Sequence, residues 1–325
     1  MNGEYRMCSI TKNWLGEATI RKIVENTFGQ NQLSGYQALK GGFCNAVYRV
    51  ILADGRTVIL KVAPAADIQL MSCEIAMMHT EAGAMQLAVR NGIEDAPEVY
   101  AYDDTYQICN AKYLLMENKE GTPVNEVKES MTEMEKEQID HKMGQRLKQI
   151  DSIEGERFGH FCVEELQREN WFEAFFLLMK RIIRDGMDAG INIGVSYEDI
   201  LRKLQEHKDF FAEVTKPVLI HFDSWDGNFL MKDGRITGII DWERAMWAEG
   251  LMEDRFRFHS RSEAFLTGYG KNSFSHAEQI RCWWYDIYLY LIMMFEVTYR
   301  RYETQDQYYW VHGLFEQVWE KLSRE

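Results

Sequence analysis

VLIHFDSWDGNFLMKDGRITGIID, residues 218–241, decides the reading of this chain. Within it, residues 229–232 and 236–240 are short β-forming runs on either side of Asp233-Gly234. An Asp-Gly step between such runs is a strong short-range signal for a tight hairpin. The hairpin sets Asn228 just before its first strand and Asp241 just after its second, at one open end of a two-stranded ribbon. Asp223 lies five residues before Asn228, in the loop that feeds the ribbon. Two carboxylates and an amide oxygen then converge on a small volume, a donor set suited to a hard cation such as Mg²⁺. The remaining carboxylate is available to accept a proton from an attacking hydroxyl. Either aspartate alone reads as an ordinary loop residue capping a turn; the combined spacing reads as a site.

Working outward, residues 13–28 carry apolar side chains at helical spacing (Trp14, Leu15, Ala18, Ile23, Val24, Phe28). Strand-like runs follow at 36–39, 46–52 and 57–63, with Asp54-Gly55 marking another hairpin. A helix is predicted over 68–90 and two further strands at 99–102 and 113–116. The sketch is a five-stranded antiparallel sheet with one helix inserted after the third strand. Lys61 stands inside the apolar third strand, where an unpaired ammonium is costly and calls for an acidic partner. Glu74 and Glu81, seven residues apart, lie near one face of the predicted helix and are the two candidates. The plainer alternative is a lysine snorkelling from an edge strand.

From about residue 130 the pattern turns helical. Trp171, Phe172, Phe175, Phe176, Met179, Ile182 and Ile183 recur three and four residues apart, the signature of a broad core-facing stripe. The most apolar stretch, 283–295, includes Asp286 and falls short of a membrane span, so it reads as a buried helix. The polar run ENKEGTP after Met116 is the predicted boundary, giving lobes 1–117 and 118–325.

The 325 residues carry 37 Lys plus Arg against 51 Asp plus Glu, a net charge of −14, which argues against nucleic acid as a partner. The imbalance is −3 over residues 1–117 and −11 over 118–325. That acidity favours a cationic small molecule, unless it serves only solubility. Six scattered cysteines without a CxxC pair and an N-terminus without signal-peptide features point to the reducing cytoplasm. Neither a membrane nor a protein partner is predicted.

The pattern H-x-D-x-x-x-x-N followed by a hairpin and an aspartate (His221, Asp223, Asn228, Asp241) resembles the catalytic loop of the protein-kinase-like fold. It is most similar to the aminoglycoside phosphotransferase family and its choline, fructosamine and homoserine kinase relatives. Those read HxDxxxGN and then IDWE or IDFE; here the stretches are HFDSWDGN and IIDWERA. Gly41-Gly42-Phe43-Cys44-Asn45 resembles the family's GGxxN turn, and YLLMENKEG (113–121) resembles its hinge. The resemblance runs in order along nearly the whole chain.

It implies an α+β, two-lobe fold with a small antiparallel-sheet lobe and a larger, mainly helical one. It also implies a set of roles. Gly41, Gly42 and Asn45 would cover the phosphates of ATP. Lys61 would hold the α/β-phosphates, with Glu81 favoured over Glu74 as its partner. The backbone around Glu117 and Lys119 would meet the adenine. Asn228 and Asp241 would hold Mg²⁺, and Asp223 would deprotonate the acceptor hydroxyl while His221 braces the loop. The implied activity is an aminoglycoside-type kinase acting on an amine-bearing small molecule. The alternatives are a housekeeping kinase for choline, a sugar amine or an amino alcohol, and a catalytically silent nucleotide-binding relative.

Departures from protein kinases (Trp225 two residues after Asp223, Trp242-Glu243 after Asp241, no APE-like segment) point to a small-molecule acceptor. Asp226 stands where relatives often have proline. Glu243, Glu249, Glu253 and Asp254, with Trp242 and Trp247, either bind an amine-bearing ring or divide into packed aromatics and solvent-facing acids.

Overall fold

The computed structural model describes residues 11–39 and 44–325; Gly41 and Gly42 of the expected phosphate-covering turn lie outside the described residues. After helix α1 (Glu17–Phe28), strands β1 (Leu33–Ala38), β2 (Ala46–Leu52) and β3 (Thr57–Val62) run as a meander. Helix α2 (Met77–Arg90) follows, and β4 (Val99–Asp103) and β5 (Tyr113–Glu117) complete an antiparallel sheet of order β1-β2-β3-β5-β4. Strand alternation divides its side chains between two faces. Val58, Leu60 and Val62 of β3, with Val50 and Leu52 of β2, pack on Ile20, Ile23 and Val24 of α1. Ile59 and Lys61 therefore point the other way, on the side where Leu114 and Met116 join Met78, Ala82 and Met85 of α2. That second face is continuous with the core of the larger lobe.

The single helix expected over 68–90 is corrected. Ser72–Glu74 form a separate 3₁₀ turn, Ala76 is left-handed (φ 54°), and α2 begins only at Met77. The cause is tertiary. The Ser72 N–H and Oγ both donate to Asp185 (2.8 and 2.6 Å), and Glu74 is drawn into a buried ion pair with Arg300 (2.6 Å). Glu74 and Glu81 consequently do not share a helix.

The larger lobe continues with β6 (Thr122–Pro123), α3 (Val124–Val127), α4 (Glu133–Ile150), β7 (Phe158–His160), β8 (Gln167–Arg168), α5 (Trp171–Asp188) and α6 (Tyr197–Glu206). Next come β9 (Val218–Ile220) and the hairpin β10 (Phe229–Lys232) and β11 (Arg235–Ile239). Asp233 and Gly234 at its tip both take positive φ (51° and 69°), as a tight two-residue turn requires. Strand β12 (Met246–Ala248) and helices α7 (Glu263–Tyr269), α8 (His276–Tyr299) and α9 (Asp306–Arg324) complete the chain.

β6 pairs with β10 to widen the hairpin to three strands, and β8-β7-β12-β9 form a further sheet. Strands this short leave no alternation for a sequence reading to detect. The aromatic stripe of α5 is buried as expected, and Asn170 caps that helix by accepting the Glu173 N–H. α8 is buried over most of its length, its Asp286 included. Among the described residues no helix is long and apolar enough to cross a membrane.

Candidate active site

Lys61 reaches the cleft because it occupies the odd-numbered face of β3, opposite the α1 core. Its Nζ donates to Glu81 Oε1 of α2 (2.5 Å) and to Asp241 Oδ1 just beyond β11 (2.6 Å). The strand, the helix and the hairpin thus meet at one ammonium. Lys61 is 7 % exposed and Glu81 0 %. Burial alone would favour a neutral amine, but the carboxylates of Asp241, Glu81 and Glu243 outweigh it and raise the Lys61 pKa. Glu81 is pushed up by burial despite Lys61. Asp241 is held below the usual range, because the Lys61 ammonium and its hydrogen bond overcome the cost of burial.

Asp241 adopts a left-handed conformation (φ 68°), which an aspartate tolerates better than most side chains. The chain then enters a 3₁₀ turn, Trp242–Arg244. One ligand oxygen from each of Glu81, Asp241 and Glu243 lies within 4.8 Å of the others, so these three carboxylates could hold a cation. Glu243 also accepts from Asn45 Nδ2 (2.8 Å), which joins the segment before β2 to the hairpin. Its pKa is raised, by burial and by Asp241.

The loop carrying Asp223 is braced from three sides. The His221 N–H donates to Glu253 (2.6 Å), and its Nε2–H donates to the Ile240 carbonyl (2.9 Å), one residue before Asp241. Burial lowers the His221 pKa to about 4, so the ring is a neutral strut. Phe222 is left-handed (φ 69°), an unusual state for a bulky residue, and its carbonyl is held by the Asp254 N–H (3.0 Å). Asn228 Nδ2 donates to the Asp223 carbonyl (2.8 Å) and carboxylate (3.1 Å), so the amide oxygen is the atom this residue could offer a cation. The Asn228 carbonyl in turn accepts the Ile240 N–H (2.9 Å). A Cβ at Gly227 would lie 2.2 Å from the ring of the exposed Trp225, so a larger residue there would push that ring aside.

Asp223 is pushed up to about 7, first by burial and then by Asp241, Asp254 and Glu296, against the opposing charge of Arg244. A carboxyl near neutrality suits a general base.

The sequence-expected residues are therefore gathered in two groups, Lys61–Glu81–Asp241 and Asp223–Asn228, joined through Ile240. Glu74 is excluded as the lysine's partner by its pairing with Arg300. Glu117 and Lys119 stand apart. The Glu117 N–H is used by the Glu98 carbonyl (2.8 Å), and Lys119 pairs with Glu117 (2.9 Å) and the Glu94 carbonyl (2.8 Å). Lys119 lines a cleft of about 740 Å³ with Arg49, Asn118 and Met231, which Lys61, Asp223 and Asp241 do not line.

Of the two readings of the acids after the hairpin, the solvent-facing one is corrected. They do not face solvent: Glu243, Glu253 and Asp254 are buried, and Glu249 is held by Arg281 (2.8 Å) and the Tyr285 hydroxyl. Trp242 is fully buried, and Trp247 stacks on Phe161. Sequence reasoning missed Glu243 as a neighbour of Asp241 in a carboxylate cluster. The two-residue D-x-E spacing was the available signal.

A model of the phosphotransferase enzyme family (APH) matches residues 35–252. No curated protein sequence matches the chain. Among solved structures, a proposed fructosamine-3-kinase from Thermobifida fusca superposes with a TM-score of 0.68 at 17% identity, covering 95% of this chain and 100% of its own. A thermostable mutant of aminoglycoside phosphotransferase APH(4)-Ia, in a ternary complex with ADP and hygromycin B, gives 0.64 at 16% identity, covering 92% and 97%. APH(2″)-IIa in a ternary complex with streptomycin and ATP gives 0.60 at 13% identity, covering 94% and 97%. These likenesses show the shared two-lobe fold.

Proposed function

The chain belongs to the phosphotransferase enzyme family, and from that membership we propose that it transfers the γ-phosphoryl group of ATP to a hydroxyl of a small molecule. The observation that carries this reading is the Lys61 ammonium, bonded at once to Glu81 and to Asp241 across the two lobes. In this reading residues 1–117 form the nucleotide-binding lobe and 118–325 the catalytic and acceptor-binding lobe. Lys61, oriented by Glu81, binds the α/β-phosphates, Gly41, Gly42 and Asn45 are the residues to cover them, and the backbone around Glu117 and Lys119 meets the adenine. Val58 pairs with Glu117, and Lys61 lies three residues farther along β3, about 10 Å away. That distance is of the order separating a purine from its phosphates. The similar structures that hold ADP or ATP support the same nucleotide.

The donor chemistry suits Mg²⁺: carboxylate oxygens of Asp241, Glu81 and Glu243 cluster, and Asn228, tied by its backbone carbonyl to the residue before Asp241, offers an amide oxygen. Asn228 and Asp241 would hold the ion, which when bound offsets charge on the phosphates. Asp223 then orients the acceptor hydroxyl and takes its proton, and His221 keeps the loop in place. The cytoplasm, where ATP is supplied, is the setting this chemistry implies.

For the acceptor, an amine-bearing compound of aminoglycoside type is the first reading. Asp254 supports it: its backbone is bonded to Phe222, it is buried beside the loop, and its carboxylate has no hydrogen-bond or ion-pair partner among the described residues. Hygromycin B and streptomycin in the similar structures support the same class. A housekeeping kinase for choline, a sugar amine or an amino alcohol is the alternative that the assay separates from it.

Incubation with Mg·ATP and a panel of aminoglycosides, choline, amino sugars and amino alcohols tests both. Acceptor-stimulated ADP release is expected from one class. Release from none of them would favour the silent nucleotide-binding relative.

A further inference from the structure

Asp226, the residue found where relatives often have proline, opens the 3₁₀ turn Asp226–Asn228 and sits in a closed ring of four charges. Its Oδ1 accepts from Arg255 Nη1 (2.6 Å) and its Oδ2 from Lys128 Nζ (2.9 Å). Both cations turn to the same second acid, Asp140 of α4: Arg255 Nη2 at 2.6 Å and Lys128 Nζ at 2.8 Å. Ser262 Oγ donates to the other Asp140 oxygen (2.8 Å). Acids and bases alternate, so the ring is neutral. Asp140 and Arg255 are buried (7 % and 3 % exposed).

The ring reaches each segment that sets the loop. Lys128 follows α3, beyond the strand that links the lobes. Arg255 is adjacent to Asp254, whose N–H holds the left-handed Phe222. Asp226 itself is two residues before Asn228, whose amide grips Asp223. A proline at this place would stiffen the turn by fixing φ. Here a charge ring does so from outside.

Resting on the phosphotransferase reading above, we infer that Asp226 is a positioning residue: through the ring with Lys128, Asp140 and Arg255 it fixes Asn228, and so sets the metal response of the site without touching nucleotide or acceptor. Groups that orient a ligand from behind change metal affinity or activity by roughly 10- to 100-fold when removed. Displacement of the turn by about an ångström accounts for an effect of that order.

The test is calorimetric titration of the full chain with AMP-PNP, with and without Mg²⁺. In Asp226→Asn the metal-free affinity should match the wild type, because Lys61 and Glu81 are untouched. The gain in affinity from Mg²⁺ should fall about tenfold or more. Ser262→Ala, which removes the ring's outermost contact and the α7 cap, controls for general loss of stability: its melting temperature should drop while the Mg²⁺ gain stays at the wild-type value. Asp226→Pro combined with Lys128→Met, which exchanges the ring for a fixed φ and keeps the remaining charges balanced, should restore most of the Mg²⁺ gain. An undiminished Mg²⁺ gain in Asp226→Asn overturns the inference. If that variant does not fold, Lys128→Met is read in its place, and an unchanged gain there overturns it equally. A wild-type protein whose AMP-PNP binding ignores Mg²⁺ would instead overturn the phosphotransferase reading itself, and this inference with it.

Discussion

Lys61 is buried and Asp223 half-buried, both near Asp241, yet their surroundings act on them in opposite senses. Around Lys61, carboxylates at 2.5 and 2.6 Å overcome desolvation and keep the ammonium charged. Around Asp223, the flanking acids Asp241, Asp254 and Glu296 add to desolvation, and Arg244 offsets only part of it. Arg244 is itself committed to Glu296. The difference shows how neighbouring groups maintain a permanent cation on one side and a carboxyl poised near neutrality on the other. Contact distance decides the first; burial, with like-charged neighbours added, decides the second.

The largest expected effect comes from breaking the lysine side. Lys61→Met leaves Glu81, Asp241 and Glu243 facing one another without their cation. Loss of one partner from a buried ion pair costs about 3–5 kcal/mol, which thermal melting at neutral pH would register as a large drop. A variant that melts like the wild type would mean that the three acids do not depend on this ammonium.

On the loop side, Asp223→Asn should lower turnover by at least ~10²-fold, the low end for a positioned base, while ATP affinity is kept. Undiminished turnover in steady-state kinetics would remove Asp223 from the chemistry. The stability effect has the reverse sign from that of Lys61. A carboxyl raised from 3.8 to about 7 binds its proton more tightly in the fold than in the unfolded chain. The fold is therefore progressively destabilised as pH climbs between those values, and the amide removes that loss. Asp223→Asn should melt no lower than the wild type above pH 7.

The same shift sharpens the comparison kinetically. A base must be ionised to act, so kcat/KM should rise with pH up to about 7 and then level off. A flat profile through that window would place the working base elsewhere. The smallest effect lies outside both regions. Thr132 caps α4 in a capping box with Glu135, so Thr132→Ala should cost about 1 kcal/mol in denaturant melts and leave the pH profile unchanged.

Much of this cleft was legible because its chemistry is local in sequence. Asn228 and Asp241 are brought to one end of a ribbon by Asp233-Gly234, and Lys61 in an apolar strand announces a partner before one is seen. Periodicity misled where a distant contact intervened. Glu74 and Glu81 share a face only if 68–90 is one helix, and Arg300, 226 residues from Glu74, pulls the first turn away. The solvent-facing reading of the acids after the hairpin fails for a related reason. Exposure is a tertiary property, and Glu253 is buried because the His221 N–H needs an acceptor. Asp226 was unreadable because Lys128, Asp140 and Arg255 come from three separate segments.

The two charge regimes are separated most directly by titrating Mg·AMP-PNP into the wild type, Asp241→Asn and Asp223→Asn in parallel. The expected result is strong binding by the wild type, a marked loss in Asp241→Asn, and near-native affinity in Asp223→Asn. Equal affinity in all three proteins, or a loss in Asp223→Asn as deep as that in Asp241→Asn, would contradict it.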